Sequence, residues 1–417
     1  MFRFFALPVC AAIGLGTLSA QTGVAVPELA VLDTQIPGIM ARGGIHGAAV
    51  AIVKDGRLVF ARGYGLANTA TGEPVQPDSL FRVGSISKTI TAVAALHQFE
   101  QGQLNLDAKA YAEILADLQP PPGRTEDPRL HNVTVRQLLH HTGGHGRDTG
   151  TDPLNTELAM KAADALHVPK PPGYETVIRY ALALPLDFDP GARYSYSNFG
   201  FTVLARVVER SAAQPYEPYV RENVLAPMGI ARMALGQTLP ENRMPGEVVY
   251  YDSPRAPLQI SIFPNVRHLM PAPYAQFQLE AGDGSGRWVA SPIDLVRFLS
   301  LVSGQRPPAF LQPETLALLL ERPDPFVSAD PTGQSWYGMG AGVGVYGQGF
   351  DWGHDGSYPG SWASYLVLPT GYIYAFALNT TPDPSIVTEL ENFLYTTVTT
   401  QQNWPDHDLF PQYYPEP

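Results

Sequence analysis

LFRVGSISKTITAVAALHQFEQ, residues 80–101, opens on Gly84-Ser85-Ile86-Ser87-Lys88 and continues as an apolar run that stops before Gly102. The pattern predicts a helix over 85–101 with Ser85 placed as its N-cap and Gly102 as its stop. A three-residue spacing puts Ser85 and Lys88 on one helical face, so the amine can reach the hydroxyl. A helix N-terminus favours negative charge developing on the serine oxygen. Serine is a poor nucleophile without a base beside it, and a lysine partly desolvated by the core can fill that role. Ser-x-x-Lys is a loose motif, and about one or two matches are expected by chance in a chain this long. Here it occurs once, at the start of an apolar helix.

Upstream, 48–53 and 58–64 read as two strands joined by Lys54-Asp55-Gly56-Arg57, a hairpin signal because both central residues of a type I′ turn need positive φ. Downstream, 135–141 reads as a short helix leading into Thr142-Gly143-Gly144, with Pro-rich surface loops at 119–123 and 168–173. Residues 199–212 show helical spacing in Phe201, Leu204 and Val208. Residues 238–277 mix prolines with aromatics and read as a long ordered excursion, since linkers are poor in aromatics. Ser291-Pro292 opens another helix. Residues 353–369 and 372–379 read as a second hairpin turning at Thr370-Gly371, and 386–399 as a closing helix. Strands at both ends with helices between predict an α+β fold: an antiparallel sheet drawn from both termini, flanked by helices, with a mainly helical insert. The expected layout is a discontinuous α/β subdomain over 26–105 and 280–400 and a mainly helical, long-looped subdomain over 106–279.

Two more motifs carry chemistry. Tyr196-Ser197-Asn198 is the only Tyr-x-Asn in the chain and lies between the turn Asp189-Pro190-Gly191 and a helix. Asn198 read alone is a helix cap; read with Ser85, Tyr196 is a proton shuttle and Asn198 an amide that orients Lys88 and the substrate. His354-Asp355-Gly356-Ser357 falls on a predicted strand, where glycine lets a substrate backbone approach closely. His141-Thr142-Gly143 and Lys54-Asp55-Gly56 share its outline but lie ahead of Tyr196.

These elements, in this order, resemble the serine β-lactamase and penicillin-binding-protein superfamily, in its class C, D,D-carboxypeptidase, D-aminopeptidase and esterase branch. The likeness spans about residues 45–380 and includes Thr134–Leu139, 194–208, 291–299, Tyr337-Gly338-Met339-Gly340 and 353–360. It implies a β-lactamase/transpeptidase-like fold and an acyl-enzyme on Ser85, with Lys88 and Tyr196 as the acid–base pair. It further implies that Asn198 contacts the substrate and that His354 stands where many relatives have lysine. The backbone N–H groups of Ser85 and Ser357 would form the oxyanion hole, with Asp355 and Gly356 lining the same strand. Two departures stand out. Asp355 occupies a position that usually carries a hydroxyl for a substrate carboxylate, which its charge is expected to repel. Gly143-Gly144-His145 replaces the common Ser-Gly-Leu. The expected activity is therefore carboxylesterase-like on small neutral esters. The alternatives are a D-amino-acid peptidase or amidase, a weak β-lactamase, or a catalytically silent β-lactam-binding sensor.

The 417 residues, 45% hydrophobic and 16% charged, suffice for a large packed core. A net charge of -12 argues against nucleic acid as partner; a small ester, amide or lactam is expected instead. Residues 1–20 read as a signal peptide cleaved near Ala20, which implies a periplasmic or secreted protein with no integral span after its removal. The single cysteine, Cys10, lies inside that segment, so the mature chain is expected to hold no disulfide or thiolate site. No Gly-x-Ser-x-Gly occurs, and Gly342-x-Gly344-x-x-Gly347 lacks a following helix and reads as strand. His140, His141 and His145 read as solvated loop residues; no metal and no cofactor is expected. Oligomeric state is not legible.

Overall fold

The computed structural model describes residues 20–149, 152–253, 256–266, 268–323, 330 and 332–414. The proposed signal segment, apart from Ala20, lies outside them. Among the described residues, no helix is long and apolar enough to cross a membrane.

The α+β expectation holds. β1 (Gly47–Lys54) and β2 (Arg57–Asn68) form the first hairpin, with Asp55 at φ 49 and Gly56 at φ 75 in its turn. The C-terminal strands are β3 (Ser335–Tyr337), β4 (Gly342–Tyr346), β5 (Gly349–Tyr358), β6 (Ser361–Val367) and β7 (Tyr372–Leu378). Their antiparallel order is β2-β1-β7-β6-β5-β4-β3, with Gln21–Thr22 on the outer edge of β2. The N-terminal hairpin and the C-terminal meander thus join at β1 and β7, where Ala51 faces Ala375.

Both faces of the sheet are covered, and the strands alternate between them. Ala49, Ala51 and Val53 face a core shared with α2 (Ser87–Glu100) and α5 (Pro292–Val302). Ala48, Val50 and Ile52 face a second core shared with α1 (Ala30–Gly43) and α6 (Pro384–Thr400). Between the two sheet halves come α3 (Val135–Leu139), α4 (Asn198–Ala212) and long loops. Thr134 and Gln137 close a capping box on α3, and Ser291 with Asp294 does the same on α5.

Three expectations are corrected. Ser85 is not an N-cap: Gly84–Ile86 form a 3₁₀ turn that runs into α2, and no side chain caps it. The stretch 353–369 is not one strand, because it folds back at Pro359-Gly360, where Tyr358 pairs with Ser361. The histidines of the 140–145 loop are not solvated, being 3, 1 and 6% exposed at His140, His141 and His145.

Candidate active site

Gly84 adopts φ +52, and a Cβ there would stand 2.6 Å from the Ser357 nitrogen. Across the same gap, a Cβ on Gly356 would lie 1.9 Å from the Val83 carbonyl oxygen and 2.7 Å from the Ser85 nitrogen. Only glycine at both positions lets the Ser85 turn press against β5, which brings the Ser85 and Ser357 N–H groups to one wall. Ser85 is half-buried at the floor of a cleft of about 650 Å³, lined further by Arg147, Tyr194, Tyr196, Tyr337 and His354.

Lys88, fully buried on the first turn of α2, sends its Nζ to three oxygens: Ser85 Oγ at 3.0 Å, Asn198 Oδ1 at 2.9 Å and the Ser285 carbonyl at 2.6 Å. Burial holds its amine well below the ordinary lysine range, with the Arg147 charge pushing the same way and Asp152 opposing. Nζ also lies 4.8 Å from the centre of the Tyr196 ring. The Tyr196 phenol reaches Ser85, and burial raises its pKa. Asn198 is the first residue of α4, but the capping side chain is that of Ser197, which accepts the Gly200 N–H at 3.0 Å. That frees the Asn198 amide to face Lys88 on one side and Asp152 on the other.

His354 projects from β5 toward the cleft with both ring nitrogens engaged. Nδ1 donates to the Asp355 carbonyl at 2.6 Å, which leaves Nε2 to accept the Tyr337 hydroxyl at 3.0 Å. Burial lowers its pKa to about 3, so the ring is neutral. Asp355 borders the cleft, but its carboxyl belongs to the opposite face of β5. It pairs across the sheet with Ser364 and meets Glu391 of α6. The expected repulsion of a substrate carboxylate by Asp355 therefore does not follow from this geometry.

The four side chains Ser85, Lys88, Tyr196 and Asn198 are brought together, and His354, Gly356 and Ser357 form the facing wall. Sequence reading missed the Ser285 carbonyl, for which a backbone atom leaves no trace in residue identity. It also missed His141, Tyr337, Arg147 and Asp152. Tyr337 was within reach, since Tyr337-Gly338-Met339-Gly340 had already been singled out. Among the described residues, no cluster of three metal-binding side chains occurs.

Such an arrangement can activate a hydroxyl, stabilise an oxyanion and relay a proton. A family model named Beta-lactamase matches residues 32–397. Esterase EstB of Burkholderia gladioli is 31% identical over 299 residues, covering 70% of this chain and 73% of that one. Protein flp of Staphylococcus aureus (strain NCTC 8325 / PS 47) is 24% identical over 207 residues, half of this chain and only 38% of its relative. Among solved structures, EstCE1, a hydrolase with promiscuous acyltransferase activity, superposes with a TM-score of 0.69 at 19% identity, covering 89% of this chain and all of that one. The D-amino acid amidase from Ochrobactrum anthropi SV3 superposes at 0.65 and 20% identity over 89% of this chain and all of its own. These last two share the fold.

Proposed function

This chain belongs to the Beta-lactamase family of serine hydrolases, and from that premise we propose that it cleaves small neutral carboxylic esters through an acyl-enzyme on Ser85. The observation that carries the mechanism is the environment of Lys88. Asn198 Oδ1 and the Ser285 carbonyl can only accept, so a neutral amine spends both N–H groups on them. Its lone pair is left for the third neighbour, the Ser85 hydroxyl at 3.0 Å. Lys88 then takes the proton as Ser85 attacks the ester carbonyl, and the oxyanion is received by the Ser85 and Ser357 N–H groups. Tyr196, against both Ser85 and Lys88, passes that proton to the departing alkoxide. Water then hydrolyses the acyl-enzyme by the reverse relay.

The preference for neutral esters rests on His354. Where many relatives have lysine, a neutral imidazole locked between Tyr337 and the Asp355 carbonyl offers no charge to a substrate carboxylate. Arg147, on the other side of the cleft, is paired with Asp148 and packed on the Tyr196 ring. Similarity to Esterase EstB supports the same choice. The pattern of residues 1–20 supports export to the periplasm or beyond.

Intact-mass measurement after brief exposure to a short-chain ester, a D-alanyl peptide and a β-lactam tests the reading. An acyl adduct on Ser85 that turns over only with the ester is expected. Preferential turnover of the peptide or the lactam would overturn the ester preference, and an acyl adduct that never turns over would make the protein a sensor.

A further inference from the structure

The loop after α3 and the segment before α4 are laced together through their backbones. Gly191 N–H donates to the Thr142 carbonyl at 2.8 Å, Asp187 N–H to that of Gly144 at 2.9 Å, and Arg147 N–H to that of Tyr196 at 2.7 Å. The two residues flanking Tyr196 both end on a single partner. Ser195 N–H donates to the His141 carbonyl at 2.9 Å, and Ser197 N–H donates to His141 Nδ1 at 3.1 Å.

His141 itself is held at some cost. It is a non-glycine residue in the left-handed region, at φ 58, and it is 1% exposed. Because Nδ1 accepts, the ring proton resides on Nε2, and that buried atom has no hydrogen-bond partner among the described residues. The ring lies 4.4 Å from those of Tyr196 and Tyr337, 5.0 Å from Phe201 and 6.0 Å from Tyr194. Backbone strain and an orphaned donor beside a reactive centre call for a role.

We infer that His141 is a positioning residue for Tyr196: its carbonyl and its Nδ1 clamp the backbone on either side of the tyrosine, while its ring sets the wall against which the phenol rests. This builds on the reading of Tyr196 as a proton-handling group. No other side chain meets all three demands at position 141. Glycine would suit the φ but supply neither ring nor acceptor. Phenylalanine would fill the aromatic cage and leave Ser197 N–H with nothing to bond. Asparagine tolerates the φ and can offer an oxygen, though without the ring. The clamp works only while Nδ1 carries no proton. The groups facing it are Lys88 from α2, His354 from β5, His140 and Arg147 from its own loop, and the three tyrosines. Burial, the largest cause, keeps its pKa well below the ordinary histidine value, and the Arg147 charge pushes the same way.

The test is a mutant cycle on a short-chain nitrophenyl ester, with folding checked by thermal melting. His141→Phe should lower kcat roughly a hundredfold while KM moves less than about threefold, because a misplaced catalytic group costs turnover more than affinity. His141→Asn should recover much of that loss. In a Tyr196→Phe background, adding His141→Phe should cost no more than about threefold, since a residue acting through another loses its effect with it. A folded His141→Phe enzyme with near wild-type kcat, or a loss that multiplies undiminished onto Tyr196→Phe, overturns the positioning role. Should the phenylalanine variant not fold, His141→Ala in the same cycle carries the same two outcomes. Undiminished kcat in Tyr196→Phe alone would instead sink the reading of Tyr196, and the positioning role with it.

Discussion

Ser85 Oγ, Lys88 Nζ and the Tyr196 phenol form one hydrogen-bonded set, and their removal should not be additive. Ser85→Ala is expected to fold and to lose turnover on every ester. Lys88→Ala and Tyr196→Phe should each lose about two to four orders of magnitude in kcat, and the pair little more than the worse single, as members of one relay do. Independent, multiplying losses in steady-state kinetics would show that they serve separate steps. These residues were legible as one cluster, because three loose motifs in a fixed order point to a single cleft. His141 was not, since a histidine beside Thr142-Gly143-Gly144 carries the same letters whether it faces water or an aromatic cage. The Ser285 carbonyl could not be read at all, because any residue at that position supplies the same atom.

Strand β5 shows how an element divides function between its faces. His354 and Gly356 look toward the Ser85 turn, while Asp355 looks toward Glu391 on α6. The alternation follows from strand geometry, so a His354 that faces the cleft sends the Asp355 carboxyl to the other face. Asp355 was placed in the cleft by likeness to relatives that carry a hydroxyl at that position, not by the alternation of the strand. Asp355→Thr should therefore leave unchanged the ratio of kcat/KM for a carboxylate-bearing ester to that for its neutral analogue. His354→Lys, which restores a cation to the cleft wall, should raise that ratio by about tenfold. If Asp355→Thr moves the ratio and His354→Lys does not, the assignment of faces is wrong. On the far side, burial and then the Asp355 charge raise the Glu391 carboxyl to about 7 from its ordinary 4.5. The folded protein keeps a proton there that the unfolded chain sheds, so this contribution to stability is complete below pH 4.5 and is lost as pH rises through 7. Glu391 is partly exposed, and the loss should be on the order of 1–2 kcal/mol. Urea unfolding at pH 5 and pH 8 should show wild type losing that much relative to Glu391→Gln, which does not titrate. Parallel behaviour of the two proteins would mean that the carboxyl titrates normally.

At the scale of the whole molecule, the two ends of the chain close on each other. Beyond the β1–β7 junction, the C-terminal segment returns to the first hairpin. Leu58 N–H donates to the Asp408 carboxylate at 3.0 Å, Leu409 N–H to the Leu58 carbonyl at 2.9 Å, and His407 Nε2 to the Val59 carbonyl at 3.0 Å. Asp408 also accepts from Arg306, whose guanidinium lies 4.8 Å from the Phe410 ring. Phe410, 1% exposed, is thus the apolar plug of a junction between β2, the loop after α5 and the chain end. None of this was legible beforehand: residues 401–414 show no periodicity, and only tertiary contact gives them a place. Phe410→Ala should cost about 3–5 kcal/mol, the usual toll of deleting a fully buried aromatic. Phe410 does not line the cleft, so kcat/KM per folded molecule, measured well below the melting transition, should stay near wild type. Chemical denaturation and esterase kinetics on one preparation separate the two. A destabilised variant with normal kinetics would mean that the terminal junction holds the sheet together without shaping the site. A fall in kcat/KM at full folding would mean that the sheet transmits strain from its outer hairpin through β1, β7 and β6 to the β5 wall of the cleft. In that case Gly84 and Gly356, where the Ser85 turn meets β5 with no room to spare, are the positions at which such a shift would first open the proposed oxyanion hole.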